Sequence, residues 1–503
     1  MFSNKKLIFS SLIACSMALL GACGSGDDDN ITPTPEPEKP GQEETVGNGD
    51  VKVITTTNSR SSDLTVSALD FSTKDNMSPS TIRLDAATTY QDIDGFGAAI
   101  TGSTAYNLMK MSASDRQEFL TETFSTTEGY GMSYVRICIG CSDFSLSEYT
   151  CCDTKGIENF ALTDEENKYV IPVLKEILAI NPNVKIMGSP WTAPRWMKVN
   201  NLTDLQPTES WTGGQLNPAY YQDYATYFVK WIKAFEAEGI KIYSMTVQNE
   251  PLNRGNSASM YMSWEEQRDF IKTALGPAFK NNGITTKIYA FDHNYNYDDI
   301  ASQKSYPTRI YEDAEASQYI AGAAYHNYGG NKNELNTVHS AFPQKELVFT
   351  ESTAGDWNDG SNLTTHLTDD MEEITLGTVN RWCRGAIIWN LMLDAERGPN
   401  RPGGCTNGFG AVDIDKNYKT ITRNSFYYIM CHMSSVVSTG AKRIGTNNYT
   451  TSGLTYAAFL NPDGSYALVA CNSGSSALKL TIDDGSHHFA TTIAAKSVVS
   501  FKW

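Results

Sequence analysis

Three signatures of common hydrolase and nucleotide chemistry are missing from this chain. There is no H-E-x-x-H to put two zinc ligands and a base on one helix, no G-x-S-x-G to expose a serine at a strand-to-helix turn, and no phosphate loop. Their absence argues against metalloprotease, serine esterase and nucleotide-dependent activities. Positive charge is also short: 40 Lys and Arg stand against 57 Asp and Glu, a net charge of −17. Nucleic-acid binding draws much of its affinity from basic contacts to phosphate, so no nucleic-acid partner is expected, and neutral substrates fit better. Two partial motifs also fail. "GFGAAITG" misplaces the third glycine of a dinucleotide fingerprint, and "DIDKNY" puts Tyr418 where a calcium loop needs glycine. No cofactor and no metal is expected.

What is present is ample material for a core. With 503 residues, 40% of them hydrophobic and 11% aromatic, the chain can build a large domain and an accessory one. Its first segment has the order of a secretory signal: Lys5 and Lys6, an apolar stretch from Leu7 to Leu20, then Leu20-Gly21-Ala22-Cys23. A cysteine directly after small residues resembles the lipobox of bacterial lipoproteins, in which the thiol of Cys23 carries the lipid; an ordinary signal peptide is the other reading. The "GSGDDDN" that follows resembles the surface-export signal of some Gram-negative lipoproteins, or is a plain solvated tether. Residues 1–22 are therefore expected to be a lipoprotein signal peptide and residues 23–50, rich in Pro and Glu, an extended linker. The implied location is the outer membrane, at the cell surface or facing the periplasm, with membrane contact only through the anchor.

Eight further cysteines stand at 138, 141, 151, 152, 383, 405, 431 and 471. An even number in an oxidising compartment predicts some disulfides, with connectivity open. The C-x-x-C at 138 and 141 beside Cys151 and Cys152 could suggest zinc, but adjacent cysteines fit a tetrahedral site poorly.

Eight short apolar runs alternate with amphipathic helical patterns between residues 91 and 414: 92–100, 133–140, 184–190, 243–250, 287–292, 321–328, 346–352 and 384–392. Strands buried on both faces lose their period of two, so this alternation predicts an α/β fold, a (β/α)₈ TIM barrel. Residues 51–90 and 415–503 instead show short alternating strands with turn punctuation, and predict one β-sandwich side domain built from N- and C-terminal segments.

In such a barrel the chemistry sits at the C-terminal ends of the strands. Glu250 closes the fourth run, in "SMTVQNEP", and Glu351 the seventh, in "FTES". Two carboxylates facing one mouth are what glycoside hydrolysis needs, one to protonate the departing oxygen and one to attack or stabilise the anomeric carbon. Asn249, beside the acid, can bind a sugar hydroxyl. Trp191, His326, Tyr328, Trp389 and Asn390 end other strands and offer rings and amides to a sugar. Arg136 and Asp143 can pair, or hold a carboxylate and sugar hydroxyls respectively. Taken singly, each of these is better explained by packing or an ordinary hydrogen bond; their common placement carries the reading.

Together "DGFGAAITGSTAYNL", "VRICIGCSDFSLSEYT", "SPWTAPRWMK", "VQNEP", "YHNY", "FTES" and "FYYIMCHMSSVVSTGAKRI" resemble glycoside hydrolase family 30, the glucosylceramidase and β-1,6-glucanase family. The resemblance implies a barrel with a β-sandwich and retention of configuration at β-glycosides. It also implies Glu250 as acid/base, Glu351 as nucleophile, and Arg136, Asp143, Trp191, Asn249, His326, Tyr328 and Trp389 around the sugar. The stretch "WNLMLDAERGPNRPGGCTNGFG" departs from the family pattern, leaving open the role of Asn390 and of leaving-group recognition. A direct nucleophile predicts carboxyl groups roughly 5 to 5.5 Å apart, and an acid near an ionised Glu351 predicts that Glu250 holds a proton near neutrality. An endo-β-1,6-glucanase acting on β-glucan is the expected activity. A glucosylceramidase-like exo-β-glucosidase and a non-catalytic glycan-binding surface lipoprotein are the alternatives.

Overall fold

A computed structural model describes residues 49–73, 78–295 and 300–503. The expected signal peptide, nearly all of the linker and Cys23 lie outside the described residues. Eight parallel strands form the central sheet: Gly95–Ala98, Tyr134–Cys138, Lys185–Ser189, Ser244–Thr246, Lys287–Asn294, Ile320–His326, Glu346–Glu351 and Cys383–Ile388. From the second strand onward each pairs with the next in chain order, and the eighth pairs with the first through Gly385 to Ile388 against Gly95 to Ala98. The Ala99–Arg136 bridge and the Ile100 N–H donating to Arg136 O join the first two strands, so the sheet closes into a barrel. The glycines of "GFGAAITG" serve that closure: a Cβ on Gly97 would fall 2.2 Å from Tyr134 O. Tyr134, Met187, Tyr289, Ala324, Val348 and Ile387 fill the interior, as expected where the lumen is a packed core.

The second domain is a nine-stranded arrangement that uses the first and last described segments of the chain. Val51–Thr57 pairs with Ser497–Lys502, and the long Thr81–Asp92 strand lies between Lys442–Thr446 and Leu478–Asp483. Beyond residue 415 the sandwich does not resume at once. A short strand, Ile421–Arg423, and the wholly buried helix Ser425–Ser434 come first, and sandwich strands return at Lys442. His432 on that helix ties the two domains, its ring nitrogens 2.8 Å from Ser500 Oγ and 2.9 Å from Thr56 Oγ1.

The disulfide expectation is corrected. All eight described cysteines are free thiols. The neighbours Cys151 and Cys152 send their sulfurs to different partners, Glu166 Oε1 and Gly156 O, while Cys383, Cys431 and Cys471 are buried on separate elements.

Candidate active site

Glu250 follows the fourth strand and Glu351 ends the seventh, and both are 6% exposed. One carboxylate oxygen of each, with a ring nitrogen of His326, all lie within 4.8 Å of one another. That spacing belongs with the close pair of a direct nucleophile, roughly 5 to 5.5 Å, and falls short of the ~6.5–9.5 Å that accommodates an intervening water.

The two carboxylates have different partners. Glu351 Oε2 accepts from Arg136 Nη1 at 2.6 Å, and Glu351 Oε1 lies 3.0 Å from the Tyr328 hydroxyl. Glu250 Oε2 accepts from the amides of Asn253 and Asn256, and Glu250 Oε1 lies 3.4 Å from His326 Nδ1. Glu250 has φ +46, a left-handed conformation costly for a residue with a Cβ; such strain clusters at functional sites. The Gln248 side chain donates to Trp191 O at 2.6 Å, fastening the fourth strand end to the third.

Asp292 is the hub that sequence reasoning missed. It accepts from Arg136, Thr246, Ser189 and Thr350, and lies 3.0 Å from His326 Nε2. The fifth strand is irregular here: its register slips between Phe291 and His293, and both Phe291 and Asp292 have positive φ. Such a bulge re-aims side chains, which strand alternation cannot foresee. The available signal was an acid at the end of another barrel strand, as at Glu250 and Glu351.

Burial opposes charge on His326, but the Glu351 charge and the hydrogen bonds to Asp292 and Glu250 outweigh it and raise the imidazole to about 9. Burial alone would raise Glu250 as well. The hydrogen bond from His326 and the nearby His293 overcome it and hold Glu250 at about 2. The expectation that Glu250 stores a proton near neutrality is therefore corrected: in the resting site His326 carries it. Burial and the Glu250 charge push Glu351 above the ordinary glutamate value, against the pull of His326 and Arg136. The Glu250–His326–Glu351 cluster is compact enough for a cation, and holding one there would require the imidazole to give up its proton.

The remaining expected residues divide. Arg136 donates to Glu351, Asn249, Asp292 and Ser189, not to Asp143. Asn249 accepts from it at 2.8 Å, which turns the amide N–H₂ away from the arginine. Asp143 is half-buried, with its Oδ1 sealed and lacking a hydrogen-bond partner among the described residues; desolvation, then the charges of Glu351 and Glu250, raise it to about 7. Trp191 and Trp389 do not lie open as a platform. They are 2% exposed, stacked on each other at 4.9 Å, with the Arg136 guanidinium against both rings. Tyr328 is the exposed ring, at 41%. Asn390 ties the eighth strand to the first by accepting from Thr101 Oγ1 at 2.6 Å.

Residues 93–437 match the glycosyl hydrolase family 30 TIM-barrel domain, and residues 440–501 that family's β-sandwich domain. Endo-1,6-β-D-glucanase BGN16.3 of Trichoderma harzianum is 33% identical over 407 residues, 76% of this chain and 78% of the relative. Lysosomal acid glucosylceramidase of Mus musculus is 28% identical over 443 residues, 82% and 81% of the two chains. Among solved structures, the endo-β1,6-glucanase BT3312 superposes with a TM-score of 0.89 at 64% identity, covering 90% of this chain and 99% of that one.

Proposed function

The chain belongs to glycoside hydrolase family 30, a retaining family, and we infer from that premise that it is an endo-acting β-1,6-glucanase working by double displacement through Glu250 and Glu351. The observation that carries the mechanism is the close pair of carboxylates with unlike partners. Glu351, gripped by Arg136 and Tyr328, is oriented as the nucleophile. Glu250, beside a protonated imidazole, is the acid. As the glycosidic bond breaks, the proton shared by His326 Nδ1 and Glu250 Oε1 passes to the leaving oxygen, which keeps the bonding electron pair, while Glu351 joins the anomeric carbon. One proton leaves as one carboxylate charge is esterified, so the buried site keeps its net charge and avoids the cost of an uncompensated one. Water then attacks the glycosyl-enzyme, its proton returns to the Glu250–His326 pair, and Glu351 is released as carboxylate. Asn249, Asp143 and Tyr328 are assigned to sugar hydroxyls, with the Trp191–Trp389 stack as a wall behind Arg136.

The β-1,6 preference is supported by the extent of likeness to BT3312 and to the fungal β-1,6-glucanases. Incubation with a β-1,6-glucan, a β-1,3-glucan and aryl β-glucosides tests it. Early release of mixed oligosaccharides from the β-1,6-polymer alone is expected. Glucose as the sole early product would favour the exo-β-glucosidase, and no reducing sugar from any of them would favour a binding protein. The lipobox-like Leu20-Gly21-Ala22-Cys23 supports a lipid-anchored, outer-membrane location, at the cell surface, where such a polymer is met.

A further inference from the structure

Two amides converge on one oxygen of Glu250. Asn253 Nδ2 donates to Oε2 at 2.7 Å and Asn256 Nδ2 at 2.8 Å, both from the loop behind Pro251. A carboxylate oxygen accepting two such bonds has both lone pairs committed, and a proton placed there would face two N–H donors. Among the described residues, Oε1 has only the longer contact to His326 Nδ1, at 3.4 Å. We propose that Asn253 and Asn256 are positioning residues that clamp Oε2, lock the carboxyl rotamer and confine the transferable proton to Oε1. The inference rests on Glu250 being the acid.

The loop is built to hold the clamp. Asn253 N–H donates to Glu250 O at 2.9 Å, closing a turn, and Asn253 Oδ1 accepts from Gly255 N at 2.8 Å. That second bond fixes which end of the amide faces the glutamate. Asn256 is braced from across the mouth. Arg401, from the long polar segment after the eighth strand, donates to Ser257 O at 2.6 Å and to Ser142 O at 2.7 Å, and its side chain is only 2% exposed. The segment that departs from the family pattern thus presses the residue next to Asn256 into place, and holds the neighbour of Asp143 with the same guanidinium.

A free carboxyl would rotate and divide its proton between two oxygens, so the clamp matters where protonation is demanding. Glycosides with poor leaving groups need the proton, and activated ones do not. The test compares wild type, Asn253→Ala, Asn256→Ala and the double variant on aryl β-glucosides of graded leaving-group acidity and on glucan, with Glu250→Ala as reference. Since general acid catalysis supplies about 10²–10⁴-fold, the double variant should lose at least about tenfold in kcat/KM on glucan while a dinitrophenyl glucoside stays within about twofold of wild type. Asn253→Asp, which keeps the shape and removes the donor, should steepen the dependence in the same direction. An equal loss on every substrate, or a wild-type slope in all the asparagine variants, overturns the clamp if Glu250→Ala still shows the steep dependence. If Glu250→Ala itself shows none, the acid assignment falls, and the clamp with it.

Discussion

His326 sits between the two glutamates, 3.4 Å from Glu250 and 3.9 Å from Glu351, with Asp292 behind it. Its place makes activity depend on two ionisations. Glu351 must be ionised to attack, and it lies above the ordinary 4.5, so the acidic limb should fall above that value. His326 must hold the proton that Glu250 delivers. A raised imidazole is fully protonated at low pH and loses its proton as pH climbs through about 9, so the basic limb should lie there. His326→Gln leaves the proton to Glu250 alone and should move the basic limb to lower pH. A kcat/KM profile on an aryl glucoside measures both, and an unmoved basic limb would count against the shared proton. At this scale the sequence was legible where a residue ends a regular strand, as at Glu351, and illegible where the backbone leaves the pattern. Asp292 is re-aimed by a bulge, and Asn253 and Asn256 lie on a loop with no periodicity to read.

The barrel strands carry a second charged cluster at their N-terminal ends. Asp94, preceding the first strand, pairs with Arg384 of the eighth and Lys185 of the third, and Lys287 of the fifth pairs with Glu346 of the seventh. Asp94 is nearly sealed, and although burial raises it, Arg384 and Lys185 bring it below the usual carboxylate range. Its contribution to stability is present above pH 3.8 and lost as pH falls through its lower folded value. Removing one partner of a buried pair strands the others, so Asp94→Ala should cost ~3 kcal/mol in denaturant unfolding at pH 7. Because this face of a barrel serves stability, kcat of the folded variant should stay near wild type. The eight strands were legible because doubly buried runs of this length, spaced by helices, allow few other folds. Their exact ends were less so: the fourth is only Ser244–Thr246, and the chain turns irregular before it reaches Glu250.

Within the described residues, the first and last segments of the sandwich meet. Thr56 near the start and Ser500 near the finish meet His432 on the helix that completes the barrel. The sandwich was legible from alternation, but Ser425–Ser434 could not be assigned to the barrel side from alternation, because a helix with all ten residues buried shows no polar face. Cysteine number likewise could not reveal that every described thiol stays unpaired, since parity says nothing of distance. Outside the described residues, Cys23 carries the localisation proposal: labelled palmitate should enter the wild-type protein and not Cys23→Ser. Equal labelling of both would remove the anchor.

The most direct test of the account is capture of the glycosyl-enzyme. A slow 2-fluoro β-glucoside with a good leaving group should form the ester and survive long enough for peptide mass spectrometry. The account predicts one sugar per chain, on the peptide holding Glu351 and absent from Glu351→Ala. A sugar found on Glu250 would reverse the two roles, and one found on any other residue would contradict the site.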